Sequence, residues 1–136
     1  MFNGIIFNTG KINSIKNYKK SKLIGIKSSL KFKKTDIGAS VCCSGVCLTL
    51  AKVKKNFIFF YISSETIKRS NFKNIKIGQT VNIEKSLVFG QKISGHFIQG
   101  HVDTTAIVKS IKLIDKSWLL NLKMQNSNYS KYLVEK

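Results

Sequence analysis

Residues 2–16, FNGIIFNTGKINSIK, and residues 98–112, IQGHVDTTAIVKSIK, repeat one another at a spacing of 96. Gly4 falls on Gly100, Thr9 on Thr105, Ser14 on Ser110, Ile15 on Ile111 and Lys16 on Lys112, while Ile6 meets Val102 and Ile12 meets Val108. The same spacing sets SKLIGIKS (21–28) against SWLLNLKM (117–124). A period this long does not suit a solenoid; it is the mark of a duplicated domain. In 136 residues it leaves room for one full copy and the opening of a second. Nothing in the second copy matches GVCLT (45–49), so that copy is expected to be cut off at about its third element. Only the second copy carries an ionisable ring here, His101 opposite Ile5.

The segments within a copy read as short strands between turns. LIGI (23–26), VCCSGVCLTL (41–50), FIFFYI (57–62) and VNIEKSLV (81–88) are the clearest, and turns fall at TDIGAS, VKKN and IKIGQT. A short helix is expected at SETIKRSN, with Ser64 as its cap and Glu65 in its first turn. About six strands in roughly 88 residues suit a small closed antiparallel barrel, which leaves no exposed strand edge. The expected fold is all-β. A closed six-stranded barrel with one short helix occupies 1–88, a glycine-bearing linker 89–95, and the first part of a duplicated barrel 96–136.

Composition narrows the function classes. No apolar run approaches the ~20 residues of a membrane helix, and MFNGIIFNTG lacks the form of a secretion signal, so a soluble, cytoplasmic chain is expected. The net charge of +18 invites a nucleic-acid reading. Against it, the basic residues are lysines spread along the chain with one arginine, Arg69, whereas base and phosphate recognition favours arginine's forked donors. The aromatics of NFIFFY also fall in one doubly apolar strand expected to be buried, not displayed for stacking. No nucleic-acid or membrane partner is expected.

Three places carry possible chemistry. In SVCCSGVCLTL, alternation puts Val46, Leu48 and Leu50 on one side and Cys47 and Thr49 on the other. If the apolar row fills a barrel, Cys47 and Thr49 face a ligand; the plainer reading is cysteine as a small hydrophobe. Gly45, taken as mid-strand, suggests a bulge or a close approach by another backbone. In GHFIQGH, His96 and His101 could move protons near neutral pH or simply donate to carbonyls. Their spacing falls within zinc-ligand range, but Cys42 and Cys43 are neighbours pointing to opposite faces and there is no C-x2-C, so no metal is expected. In YISSETI (61–67) a strand ends where a capped helix begins, presenting backbone amides and the hydroxyls of Ser63, Ser64 and Thr66 to a polar heterocycle, or making an ordinary helix start.

MFNGII, GASVCCSGVCLTL, SSETIKRSNF, IGQTVNIEKSL and above all SGHFIQGHVDTTA resemble the riboflavin synthase family of lumazine-binding double barrels, in register from Met1 to Lys136. The resemblance implies two like barrels, a C-terminal helix that assembles trimers, and no cofactor or metal. It implies a reaction in which two molecules of 6,7-dimethyl-8-ribityllumazine exchange a four-carbon unit to give riboflavin and 5-amino-6-ribitylaminouracil. Two like substrates need two like pockets, and stacking them supplies much of the acceleration.

Carried over by position, the first pocket comprises Gly4, Ile5 and Ile6, then Cys47, Leu48 and Thr49, then Tyr61, Ile62, Ser63, Ser64, Glu65 and Thr66. The second begins at Gly100, His101 and Val102, with Lys136 at a ligand-contacting lysine. The resemblance implies that Ser40 and Cys47 activate or hold substrate, that Phe2 packs over a ring and that His101 helps remove a 7-methyl proton. It leaves His96 to orient the segment. Asn3, Ser44 and Ser63 depart from the family's usual residues at the first pocket. A chain stopping inside the second barrel is expected to bind lumazine and turn it over poorly. The alternative within the same fold is a lumazine- or flavin-binding protein without catalysis.

Overall fold

Gly10 is the position that lets the first strand bend into a closed sheet. A Cβ there would meet Ile26 Cγ2 and Ile83 Cδ1, each at 2.5 Å. The missing side chain therefore lets residues of two neighbouring strands fill one space. The computed structural model describes residues 1–135. Residues 1–102 and 103–136 form two compact units.

In the first unit, β1 (Asn8–Asn17), β2 (Lys22–Ser28), β3 (Ser40–Cys43), β4 (Val46–Lys54), β5 (Phe57–Ile62) and β6 (Thr80–Lys85) close a barrel in the order β1-β2-β5-β4-β3-β6. Every pairing is antiparallel. β1 serves two neighbours, pairing Asn8–Lys11 with β6 and Gly10–Asn17 with β2. A register shift between Ile12 and Ser14 marks a bulge, which bends and twists a strand. The expected six-stranded barrel with one short helix is thus the observed one.

Alternation fills the barrel. Ile24, Ile26, Val41, Cys43, Val46, Leu48, Leu50, Ile58, Phe60, Ile62, Val81 and Ile83 form one buried cluster, as period-two burial requires. Along β4, Val46, Leu48 and Leu50 are buried, Cys47 is half-buried and Thr49 exposed, the two-faced strand read from the sequence. Two local expectations differ. VCCSGVCLTL is a hairpin, not one strand, with Ser44 (φ 46°) and Gly45 (φ 87°) as its two-residue turn. Positive φ at both positions is what the twist of a tight hairpin demands. In FIFFYI only alternate side chains are buried: Phe60 is inside, while Tyr61 is 59% exposed.

The helix α1 (Ser64–Arg69) is capped by Ser63, whose Oγ accepts from the Thr66 amide at 3.1 Å, one residue before the expected cap. Ser63 has the extended backbone (φ −68°, ψ 162°) that a cap needs.

The second unit is a hairpin of β7 (Ala106–Ile114) and β8 (Ser117–Met124). Its register copies that of β1–β2 residue for residue. Ile12↔Ile26 becomes Val108↔Leu122, Ser14↔Gly25 becomes Ser110↔Asn121, and Ile15↔Ile24 becomes Ile111↔Leu120. The bulge also recurs, between Val108 and Ser110. The duplication read from the sequence is therefore a duplication of backbone. Among the described residues, no helix is long and apolar enough to cross a membrane.

Candidate functional site

The Ser44–Gly45 turn sets the positions of the site. Cys42 and Cys47 lie directly opposite across β3–β4, as do Ser40 and Thr49. Cys47, half-buried, and Thr49, exposed, occupy the outward side of β4.

The Cys47 amide finds its acceptor outside the hairpin. It donates to the carbonyl of Gly100 at 2.8 Å. A Cβ on Gly100 would lie 3.1 Å from both the Cys47 nitrogen and its Cβ and 3.3 Å from the Gly45 carbonyl, and Gly100 has φ +75°. Only glycine combines that backbone with so close an approach. At Gly45 the expected mid-strand bulge or close approach is absent: a Cβ there would meet nothing within 4 Å, Gly45 is a turn residue at φ 87°, and the crowded glycine is Gly100.

Two further anchors fix this segment. Phe2 and Ile98 exchange amide-to-carbonyl bonds of 2.8 and 2.9 Å, and Val102 packs against the barrel core. His101 sits between these anchored neighbours with its ring exposed. Phe2 and Ile98 are themselves 96 apart, so the bridge joins equivalent residues of the two repeats. Gly4, the repeat mate of Gly100, has the same φ of +75°.

The expected grouping placed residues 4–6 with 47–49 and kept 100–102 apart. The structure brings 100–102 to 47–49, because an extended segment can satisfy its backbone only along a free stretch of strand, and β5 pairs with β4 only from Leu50 onward. Residues 4–6 turn elsewhere. The amides of Asn3 and Gly4 donate to the Glu84 carboxylate, Asn3 at 2.6 Å. Ile5 lines a cavity of about 240 Å³ with Asn3, Phe7 and Glu84, and Ile6 is exposed.

The remaining expected residues lie as follows. Phe2 is wholly buried, Leu48 and Ile62 belong to the core, and Ser40 is half-buried. Ser63 and Thr66 bond one another through their hydroxyls at 3.0 Å, and Ser64 is exposed. Glu65 pairs with Arg69, which holds its carboxyl below the usual range. A hydrogen bond with Tyr18 raises the Tyr61 hydroxyl, whose ring centroid lies 6.1 Å from that of Tyr18. His96 is exposed, and Lys136 lies outside the described residues. Glu84 ties down the N-terminal segment, a role its sequence does not signal, because a glutamate within VNIEKSLV reads as an ordinary outward strand position.

All three cysteines are free. Burial pushes the Cys43 thiol far up. Burial also raises Cys42, opposed by the Gly45 amide and reinforced by the charges of Glu84 and Cys47. No group of three or more His, Cys, Asp or Glu among the described residues could hold a metal ion.

Residues 3–86 match the Lumazine binding domain. The chain belongs to that family. Across the whole of this chain, a riboflavin synthase of Buchnera aphidicola subsp. Baizongia pistaciae is 31% identical and that of Escherichia coli 32%. The chain spans 65% and 64% of their lengths. Among solved structures, LumP complexed with 6,7-dimethyl-8-(1′-D-ribityl) lumazine matches with a TM-score of 0.73 over 88% of this chain and 67% of that one, at 23% identity. LumP complexed with flavin mononucleotide matches with a TM-score of 0.68 over 82% and 63%, at 26% identity. The lumazine-binding fold of residues 1–102 is therefore that of the family.

Proposed function

We propose that this chain is the lumazine-binding portion of a riboflavin synthase. Its first barrel takes one molecule of 6,7-dimethyl-8-ribityllumazine against Cys47–Thr49, Ile62–Thr66 and Gly100–Val102. The observation that carries this reading is the Gly100 carbonyl on the Cys47 amide, which joins strand and histidine segment on one barrel. In this pocket the heterocycle lies along the outward side of the strand at Cys47 and Thr49 beside Val102, and the polar edge and ribityl chain meet Thr49, Ser63, Ser64 and Thr66. His101, exposed between anchored neighbours, is free to take a proton from the 7-methyl group, leaving a nucleophilic exomethylene carbon. Ser40 and Cys47 hold or activate the ring.

The second substrate needs a second pocket like the first. Dismutation then requires both pockets to face one another, in a homotrimer of complete double barrels, with no cofactor. Residues 1–102 bind ribityllumazine.

Titration of the chain with 6,7-dimethyl-8-ribityllumazine, followed by ligand fluorescence, tests the binding half; an unchanged signal refutes it. For the chemical half, a chimera continues residue 136 with the last third of the Escherichia coli relative. It should form riboflavin, and His101→Gln should lower its turnover by about 10²-fold at nearly unchanged affinity. A fully active His101→Gln chimera refutes that role. The similarity to ligand-bound LumP supports a second reading, lumazine or flavin binding without turnover; a chimera that binds and never yields riboflavin would establish it.

A further inference from the structure

Cys42 and Cys47 occupy opposite positions of β3 and β4, one step from the hairpin turn. Val41 and Cys43, on either side of Cys42, belong to the barrel core, whereas Cys42 does not. Cys42 therefore shares the outward face with Cys47, as cross-strand partners do. The Cys47 amide points away from β3 to the Gly100 carbonyl, so the two cysteines form a non-hydrogen-bonded pair. Such pairs have Cα atoms about 4.5 Å apart and the closer side chains of the ladder. That spacing lies within the ~4.4–6.8 Å that a disulfide spans.

We infer that Cys42 and Cys47 are a reversible dithiol site, oxidised to a cross-strand disulfide by a low-molecular-weight disulfide. Cys47, half-buried, is the point of entry; Cys42 is 5% exposed and follows. The Cys47 thiolate attacks one sulfur of the oxidant and expels the first small thiolate, leaving a mixed disulfide. The Cys42 thiolate then attacks the Cys47 sulfur and expels the second. Two protein thiols lose two protons and two electrons, and one disulfide is reduced to two thiols. Cys43 takes no part, because its side chain lies on the other face, wholly buried in the core. Excess small thiol reverses both exchanges, attacking the bridge and then the mixed disulfide, which makes the site reversible. Oxidation also withdraws the Cys47 thiol from the face it shares with Ser40 and Thr49.

The full chain is equilibrated with glutathione buffers of graded ratio, denatured in iodoacetamide and weighed. The expected oxidised product has lost the mass of two hydrogens and carries a single alkylated cysteine. The native chain should reach it at a ratio at least about ten-fold less oxidising than the chain held in denaturant. Cys43→Ala should still oxidise, while Cys42→Ala should stop at one glutathione adduct, and dithiothreitol should restore every form. Three alkylated cysteines throughout, a glutathione adduct accumulating on the unsubstituted chain, or loss of the bridge in Cys43→Ala would each overturn the assignment.

Discussion

β1–β2 and β7–β8 are the same hairpin in different company. They share register and bulge, yet Ile12, Ile24 and Ile26 are essentially inaccessible while their repeat mates Val108, Leu120 and Leu122 are each more than half exposed. In the barrel, β1 and β2 have β6 and β5 as further partners, and every apolar side chain on the inner face meets a wall. β7 and β8 make a sheet of two. Pairing and local geometry are thus written within the repeat itself, whereas stability comes from closure. A lone two-stranded ribbon is marginal in water.

The largest expected difference is in amide protection. Hydrogen exchange should show β1–β6 protected to near the global unfolding free energy and β7–β8 exchanging by local opening, several orders of magnitude faster. Equal protection would break the contrast. Truncation of matched side chains comes next. Ile26→Ala should cost about 2–5 kcal/mol, and Leu122→Ala, at the same position of the other copy, should stay within about 0.5 kcal/mol. Denaturant melts of the two variants check this, and similar losses would show that the second copy is packed as tightly as the first.

The glycine pair sharpens the comparison on a smaller scale. Gly100→Ala should cost about 1–3 kcal/mol, because its new Cβ meets the backbone of Cys47 and Gly45. Gly4→Ala has the same φ, but its Cβ meets the end of the Ile98 side chain, which can swing away, so its cost should be lower. Thermal melts of both rank them; the reverse order would contradict the docking of residues 97–102.

The smallest effect is on pH. Burial raises the thiols of Cys42 and Cys43 above their unfolded values. Their contribution is therefore constant below the unfolded thiol pKa of ~8.5 and is lost as pH climbs above it. Urea melts from pH 7 to 10 should show that decline, and Cys43→Ala, though less stable throughout, should show a shallower one.

Much of this was readable in the sequence, because the repeat and the two-residue alternation are local signals. The two-faced strand at Val46–Leu50 and the helix after Ile62 follow from them. Ser44–Gly45 does not read as a turn, because Ser-Gly lies between two apolar runs that join into one plausible strand, without the stronger Asn-Gly mark. Ser63 and Ser64 offer equal caps by composition, and only the backbone at Ser63 separates them. The partnership of Gly100 with Cys47 joins residues distant in sequence, and no periodicity reports it. The repeat held one clue: segments that match one another can bridge about a common centre, as Phe2 and Ile98 do.

The central claim is that residues 97–102 complete the pocket of the first barrel. A residue-resolved amide spectrum of the chain, titrated with 6,7-dimethyl-8-ribityllumazine, tests it most directly. The largest shifts should fall together on Leu48, Thr49, Ile62–Thr66 and His101–Val102, with those at Gly4–Ile6 small, and Gly100→Ala should weaken the whole set. Shifts centred on Gly4–Ile6 with His101 and Val102 unmoved would contradict it.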